Sequence, residues 1–219
     1  MNCCPVDTTG ADRFFSKHAK RYAKRFRKNG LDKCQQLLYE GIALSGLRSR
    51  DVLEVGCGVG GLLLTLLKEG AGEAFGVEVS RGMLEQARKL AKEMGCEERV
   101  HYHLGDFVSL SGSGQAPRCD ITVLDKVLCC YDDWKSLVEQ SIAKTKAVYA
   151  VSFPRPIWYN CLFFHFASVL AKMFRWSFHP FYHDWERVQL FISATGYSKK
   201  YENHTVMWLV QIYEKNNGR

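Results

Sequence analysis

Three acidic residues, each at the end of a short apolar run, carry the chemistry this chain offers most visibly. Glu54-Val55-Gly56-Cys57-Gly58-Val59-Gly60-Gly61 lies between one such run and a leucine-rich stretch. Glycines between a strand and a helix allow positive φ and let a ligand approach the backbone. Glu78 ends the next apolar run, about 20 residues on, where a carboxylate can accept hydrogen bonds from ribose hydroxyls. Gly105-Asp106-Phe107 closes a third. Gly56, Gly58 and Gly61 also satisfy the GxGxxG pattern of dinucleotide sites. Loop and Glu78 alone therefore fit a nicotinamide cofactor as well as another nucleoside.

The elements that must hold these residues alternate along the chain. Strands are expected at 51–55, 74–79, 100–104, 120–124 and 147–153, with helices at 62–67, 81–94 and 134–143. Such alternation implies βαβ units, a parallel sheet and helices on both faces. Pro154 and Pro156 stop the fifth strand; an apolar helix over 157–175 and a helix near 184–194 follow. Two late strands, 198–201 and 205–213, turn at Asn203-His204 and read as an antiparallel pair at the sheet edge. The expected fold class is α/β: one doubly wound, mostly parallel seven-stranded sheet.

Glu54 completes E-x-G-x-G-x-G. Gly76-Val77-Glu78-Val79-Ser80-Arg81-Gly82-Met83-Leu84 and Leu104-Gly105-Asp106-Phe107 follow in order. In this order the segments resemble the Rossmann-like class I S-adenosylmethionine-dependent methyltransferases. The resemblance implies that Glu54, Gly56, Cys57, Gly58 and Gly60 face the methionine half of S-adenosylmethionine. It implies that Glu78, with Val79 beside it, accepts from both ribose hydroxyls, and that Met83 packs on adenine. Asp106 would accept from the adenine amino group, between Gly105 and the backbone N–H of Phe107. Leu124 and Asp125 would pass near the sulfonium.

Further segments resemble the magnesium-protoporphyrin O-methyltransferases and their small bacterial relatives. These are Thr8–Phe14, Val123–Tyr131, Val151–Arg155 and Phe181-Tyr182-His183. Where that family carries a His-Tyr-Pro step, this chain has Cys129-Cys130-Tyr131-Asp132. The implied reaction is methyl transfer to a small molecule, at a carboxylate or hydroxyl oxygen. His18, Tyr22 and Tyr131 are candidate catalytic groups, with His165 and His183 as further bases or orienting groups. An alternative is thiol or metalloid methylation at Cys129 and Cys130, with Cys3 and Cys4 brought over them by the N-terminal arm. From another class, a nucleotide-binding module without turnover remains a reading.

Of the 219 residues, 47% are hydrophobic and 24% charged, as in ordinary globular domains. The net charge of +7 comes entirely from residues 1–50, which hold 11 Lys or Arg against four Asp or Glu. Phe15, Ala19, Tyr22 and Phe26 form one apolar stripe there, and Asn29-Gly30 is a helix stop. Residues 1–48 therefore read as a helical cap on a methyltransferase domain at 49–219, with a cap helix at 157–176 inserted over the acceptor site. Nine cysteines without a CxxC pair favour reduced thiols and no metal. Neither a secretory signal nor an uninterrupted membrane span is visible, so the expectation is cytoplasmic. The aromatic helix and basic arm suit a large apolar or anionic acceptor and peripheral membrane contact. No nucleic-acid-binding domain and no obligate protein partner are expected.

Overall fold

Alternating side chains on short apolar strands build the centre of the molecule. We describe residues 8–173, 178 and 180–216 from a computed structural model. Cys3, Cys4 and the end of the expected cap helix, 174–176, lie outside them.

The strands are β1 (Val52–Val55), β2 (Ala74–Glu78), β3 (Val100–Leu104), β4 (Cys119–Asp125), β5 (Thr145–Pro154), β6 (Tyr197–His204) and β7 (Trp208–Lys215). They form one seven-stranded sheet in the order β3-β2-β1-β4-β5-β7-β6. The first five run parallel, while β7 is antiparallel to both β5 and β6. β5 shows why both faces must be covered. Val148 and Ala150 enter the core on one face; Tyr149, Val151 and Phe153 enter the core on the other. This is the two-residue period of a strand buried on both sides.

The helices supply that cover. They are α1 (Thr9–Asn29), α2 (Lys33–Leu44), α3 (Gly61–Lys68), α4 (Arg81–Glu93), α5 (Phe107–Gly112), α6 (Trp134–Ala143), α7 (Trp158–Met173) and α8 (Trp185–Ala194). Residues from α1 to α4 pack into one core, and residues from α6 to α8 into the other. α1 ends at Gly30 with φ 67°, and α2 starts on a capping box of Asp32 and Gln35.

Two details differ from the sequence expectation. The late hairpin turns at Val206-Met207, not at Asn203-His204, because the Thr205 N–H donates to the Trp208 carbonyl at 2.8 Å. The Trp208 N–H donates back to Thr205 Oγ1 at 2.9 Å. An apolar turn pair gives no turn signal. The short helix α5 was also not expected; it is set by Asp106, whose side chain accepts from the Ser109 N–H.

In the sheet order, β1 is where the winding reverses: β2 and β3 lie to one side, β4 and β5 to the other. Ligands bind open α/β sheets in the crevice at such a point, beyond the carboxyl ends of the strands.

Candidate active site

The glycine turn after β1 is fixed by its neighbours in the sheet. The Gly56 and Cys57 N–H groups both donate to the Val77 carbonyl, at 2.8 and 3.1 Å. Gly56 has φ 68°, and a Cβ there would collide with the Val127 side chain. Glycine is required on both counts. Glu78 then joins two turns: one carboxylate oxygen accepts from the Gly58 N–H at 2.8 Å, the other from the Ser80 N–H at 2.9 Å. Burial raises its pKa, with those N–H groups working against the rise. Each oxygen keeps a further lone-pair direction for a hydroxyl donor.

Glu54 sits below the turn, on β1, 2% exposed. Its Oε2 has no hydrogen-bond partner among the described residues. Burial, and after it the Asp125 carboxylate, pushes its pKa well up. A buried carboxylate with an open lone pair costs free energy until a donor or cation meets it.

At the other end, Asp106 caps α5 with one oxygen. The second accepts from the Tyr131 hydroxyl at 2.9 Å. Burial, and then the Asp106 charge, raises the Tyr131 pKa. That hydroxyl is a donor near neutral pH and no base.

α1 closes the crevice from above. Asp12 Oδ1 accepts from the Arg81 N–H and Ser16 Oγ from the Gly82 N–H, both at 2.9 Å. Ser80 Oγ accepts from the Met83 N–H at 3.3 Å. Three N–H groups at the start of α4 are thus satisfied, two of them by α1. The approach needs glycines. A Cβ on Gly82 would stand 2.8 Å from Ser16 Cα, and one on Gly61 would stand 2.7 Å from the Phe26 ring.

Lys126 ties the arm to the sheet. Its Nζ lies 2.7 Å from Asp32 Oδ2 and 3.3 Å from Asp125 Oδ2. Burial works to lower its pKa, and the carboxylates of Asp125 and Asp32 more than offset this, so it is raised. Ser152 Oγ donates to Asp125 Oδ1 at 2.7 Å and accepts from the Lys126 N–H at 2.9 Å.

These groups surround a cavity of about 300 Å³. Glu54, Gly56, Cys57, Gly58, Glu78, Val79, Met83, Gly105, Asp106, Phe107 and Asp125 line it. Gly60 and Leu124 stand behind the wall: Gly60 is the N-cap of α3, and Leu124 is fully buried. Tyr22 and Tyr131 line the cavity, but His18 does not; its ring nitrogen lies 2.8 Å from the Phe14 carbonyl of its own helix. His183 Nε2 lies 2.8 Å from the Tyr131 carbonyl. His165 is exposed on α7, and α7 supplies none of the described lining residues. Cys130 lines the cavity, and its sulfur is 3.9 Å from that of buried Cys129. Among the described residues no group of three or more His, Cys, Asp or Glu is placed to hold a metal.

Sequence reasoning missed Lys126, Asp32, Arg25 and Phe15, all in the wall. Asp32 is the N-cap of α2, and nothing in its sequence neighbourhood points to the site. Lys126 has φ 58°, an uncommon conformation for a residue with a Cβ, and only the fold shows it.

Residues 52–146 match the methyltransferase domain family. Over 96% of this chain and 100% of the other, the fold superposes on magnesium protoporphyrin IX methyltransferase from Synechocystis PCC 6803, solved with SAH bound. The TM-score is 0.73 at 17% identity. The chain has the fold of the class I methyltransferases. Curated relatives match locally. A 23S rRNA (uracil(1939)-C(5))-methyltransferase of Shewanella halifaxensis is 34% identical over 110 residues, 50% of this chain and 24% of that protein. Methyltransferase GfsG of Streptomyces halstedii is 35% identical over 79 residues, 36% of this chain and 28% of that protein. The chain thus spans under a third of the length of either relative.

The cofactor that the class I fold implies, S-adenosylmethionine, fits the residues present. The unpartnered Glu54 oxygen suits a cationic or donor group. A Cβ at Gly58 would meet no atom within 4 Å, so the turn stands open to the cavity. Met83, Phe107 and Val79 offer apolar wall between Glu78 and Asp106.

Proposed function

We propose that this protein transfers a methyl group from S-adenosylmethionine to an oxygen of a small-molecule acceptor. The observation that carries the reading is Glu54, a buried carboxylate with an open oxygen beneath a glycine turn. When bound, the cofactor supplies an electrophilic methyl on a sulfonium. Glu54 meets its cationic methionine end, and Glu78 accepts from the ribose hydroxyls. Asp106 and the Phe107 N–H hold the adenine, against Met83. Asp125, with Leu124 behind it, borders the acceptor. Residues 1–48 act as the cap that excludes water, and 49–219 carry the transferase site. Alignment and water exclusion are the main demands on such an enzyme.

A carboxylate acceptor is the favoured class. It needs no base, and no histidine occurs among the described residues lining the cavity. The mostly apolar wall with Arg25 and Lys126 in it suits an acceptor with a large apolar body and an anionic group. The test is transfer of labelled methyl from the cofactor into a metabolite extract, followed by mild alkali. A methyl ester releases its label as volatile methanol. Alkali-stable label would overturn the carboxylate assignment, and no transfer would overturn the reaction. Thiol or metalloid methylation is the second reading, favoured only by the approach of Cys129 and Cys130 to the cavity.

A further inference from the structure

α7 is a helix turned the wrong way for a core element. Its buried side is thin: Asn160, Phe164 and Ala171. Trp158, Leu162, Phe163, Phe166, Val169 and Met173 are each 48–78% exposed. Five of them recur at helical spacing, so they form one continuous face. At 1.5 Å per residue that face is about 22 Å long. Residues 158–171 contain no Lys, Arg, Asp or Glu. Beside the helix start, the hairpin turn adds Val206, 77% exposed, whose carbonyl accepts from the Tyr159 hydroxyl at 3.1 Å. Exposed apolar faces of this extent mark contact sites.

The charge of the molecule says what covers it. α1 carries Arg13, Lys17, Lys20, Lys24 and Lys28 at helical spacing on its outer side, all exposed. None of the five has an ion pair among the described residues. Phe178, a few residues past α7, returns to α1: its ring centroid lies 5.3 Å from Phe14 and 5.2 Å from Phe15. The chain that leaves α7 thus reaches the first turns of the basic helix at Phe178.

We infer that the outward face of α7 and the basic face of α1 together seat this protein on an anionic lipid surface. Phenylalanine, leucine and methionine enter the headgroup boundary, with Trp158 and Tyr159 at its polar edge. Each lysine or arginine near an anionic bilayer strengthens the attraction, and salt weakens it. A second copy of the chain would cover the apolar residues but, carrying the same net charge of +7, would leave the basic face without a counter-charge. The inference does not depend on the proposed reaction.

The experiment is co-sedimentation of the full chain with vesicles of phosphatidylcholine alone and of phosphatidylcholine mixed with phosphatidylglycerol. Strong binding to the mixed vesicles is expected, weak binding to the neutral ones, and loss in high salt. The double variant Phe163→Glu, Phe166→Glu should lower partitioning at least tenfold with an unchanged melting temperature. Lys17→Glu, Lys20→Glu, Lys24→Glu should do the same. A readout on the unaltered surface uses brominated lipid, which should quench the tryptophan emission of wild type more than that of Trp158→Phe. Three results would overturn the inference: no binding to anionic vesicles, equal binding by the charged variants, or a wild-type dimer that the Phe166→Glu change splits while vesicles bind neither form.

Discussion

Lys126 Nζ lies 2.7 Å from Asp32 Oδ2, joining the residue after β4 to the N-cap of α2. The two are 94 residues apart in sequence, so this contact registers the arm against the site. Asp32→Asn keeps an N-cap oxygen and removes the charge; asparagine caps about as well as aspartate. It should cost about 1 kcal/mol, since the pair is only partly buried and Lys126 keeps Asp125. Asp32→Ala should cost about 1 kcal/mol more through the lost cap. Urea unfolding measures both; a stability of Asp32→Asn equal to wild type would mean that the pair adds nothing.

Glu78 should be the most sensitive cofactor residue. It bridges the Gly58 and Ser80 N–H groups and offers its remaining lone pairs to the ribose. Glu78→Ala should weaken S-adenosylmethionine binding by roughly 1.5–3 kcal/mol, the range for a hydrogen bond to a charged group. Unchanged affinity would remove Glu78 from the site.

Charge selectivity should depend on pH. Burial, then Asp125, raises the Glu54 pKa, so the empty site holds a proton where a free carboxylate would not. A cationic sulfonium favours the ionised form and expels that proton. Preference for S-adenosylmethionine over the uncharged thioether S-adenosylhomocysteine should therefore grow as pH rises through the raised Glu54 value, and shrink below it. For stability the sign is opposite. A raised carboxylate pKa favours the folded, ligand-free chain at low pH, and that contribution is lost as pH rises through the folded value. Dissociation constants for both ligands across pH measure this. A flat ratio in wild type, matching that of Glu54→Gln, contradicts it.

Closure by α1 should fail when Gly82 gains a side chain. A Cβ there meets Ser16 Cα at 2.8 Å, a backbone atom that cannot turn aside. Gly82→Ala should push α1 from α4, free the Arg81 and Gly82 N–H groups, and weaken cofactor binding several-fold. Limited proteolysis should then cut within residues 9–29. A protected arm with wild-type affinity would show that the helix yields without consequence.

The cysteine reading is separable. Changing both Cys129 and Cys130 to serine should leave methyl transfer within a few-fold of wild type if the acceptor is an oxygen. Complete loss, with the fold intact, would favour thiol or metalloid chemistry.

Much of this fold was legible because strand and helix periods differ. Alternation from residue 51 onward, punctuated by Gly56, Gly105 and Pro154, marks each βα unit locally. The acidic residues were legible for the same reason, since each sits at a strand end. What the sequence hid depends on contacts across the chain. The Lys126–Asp32 pair joins two stretches with no shared pattern. The Tyr131 hydroxyl looks catalytic in sequence, and only the fold sets it against Asp106. α7 reads as a cap or core helix from composition, because hydrophobicity does not say which side faces solvent. The hairpin turn was misplaced because Val206-Met207 carries no turn residue.

The central claim is that Glu54, Glu78 and Asp106 together hold S-adenosylmethionine in the cavity beyond β1. Isothermal calorimetry of the full chain with S-adenosylmethionine and, separately, with NAD tests it most directly. One-to-one binding of S-adenosylmethionine is expected, markedly weakened in Glu78→Ala, with no measurable heat from NAD. Preferential binding of NAD would contradict it.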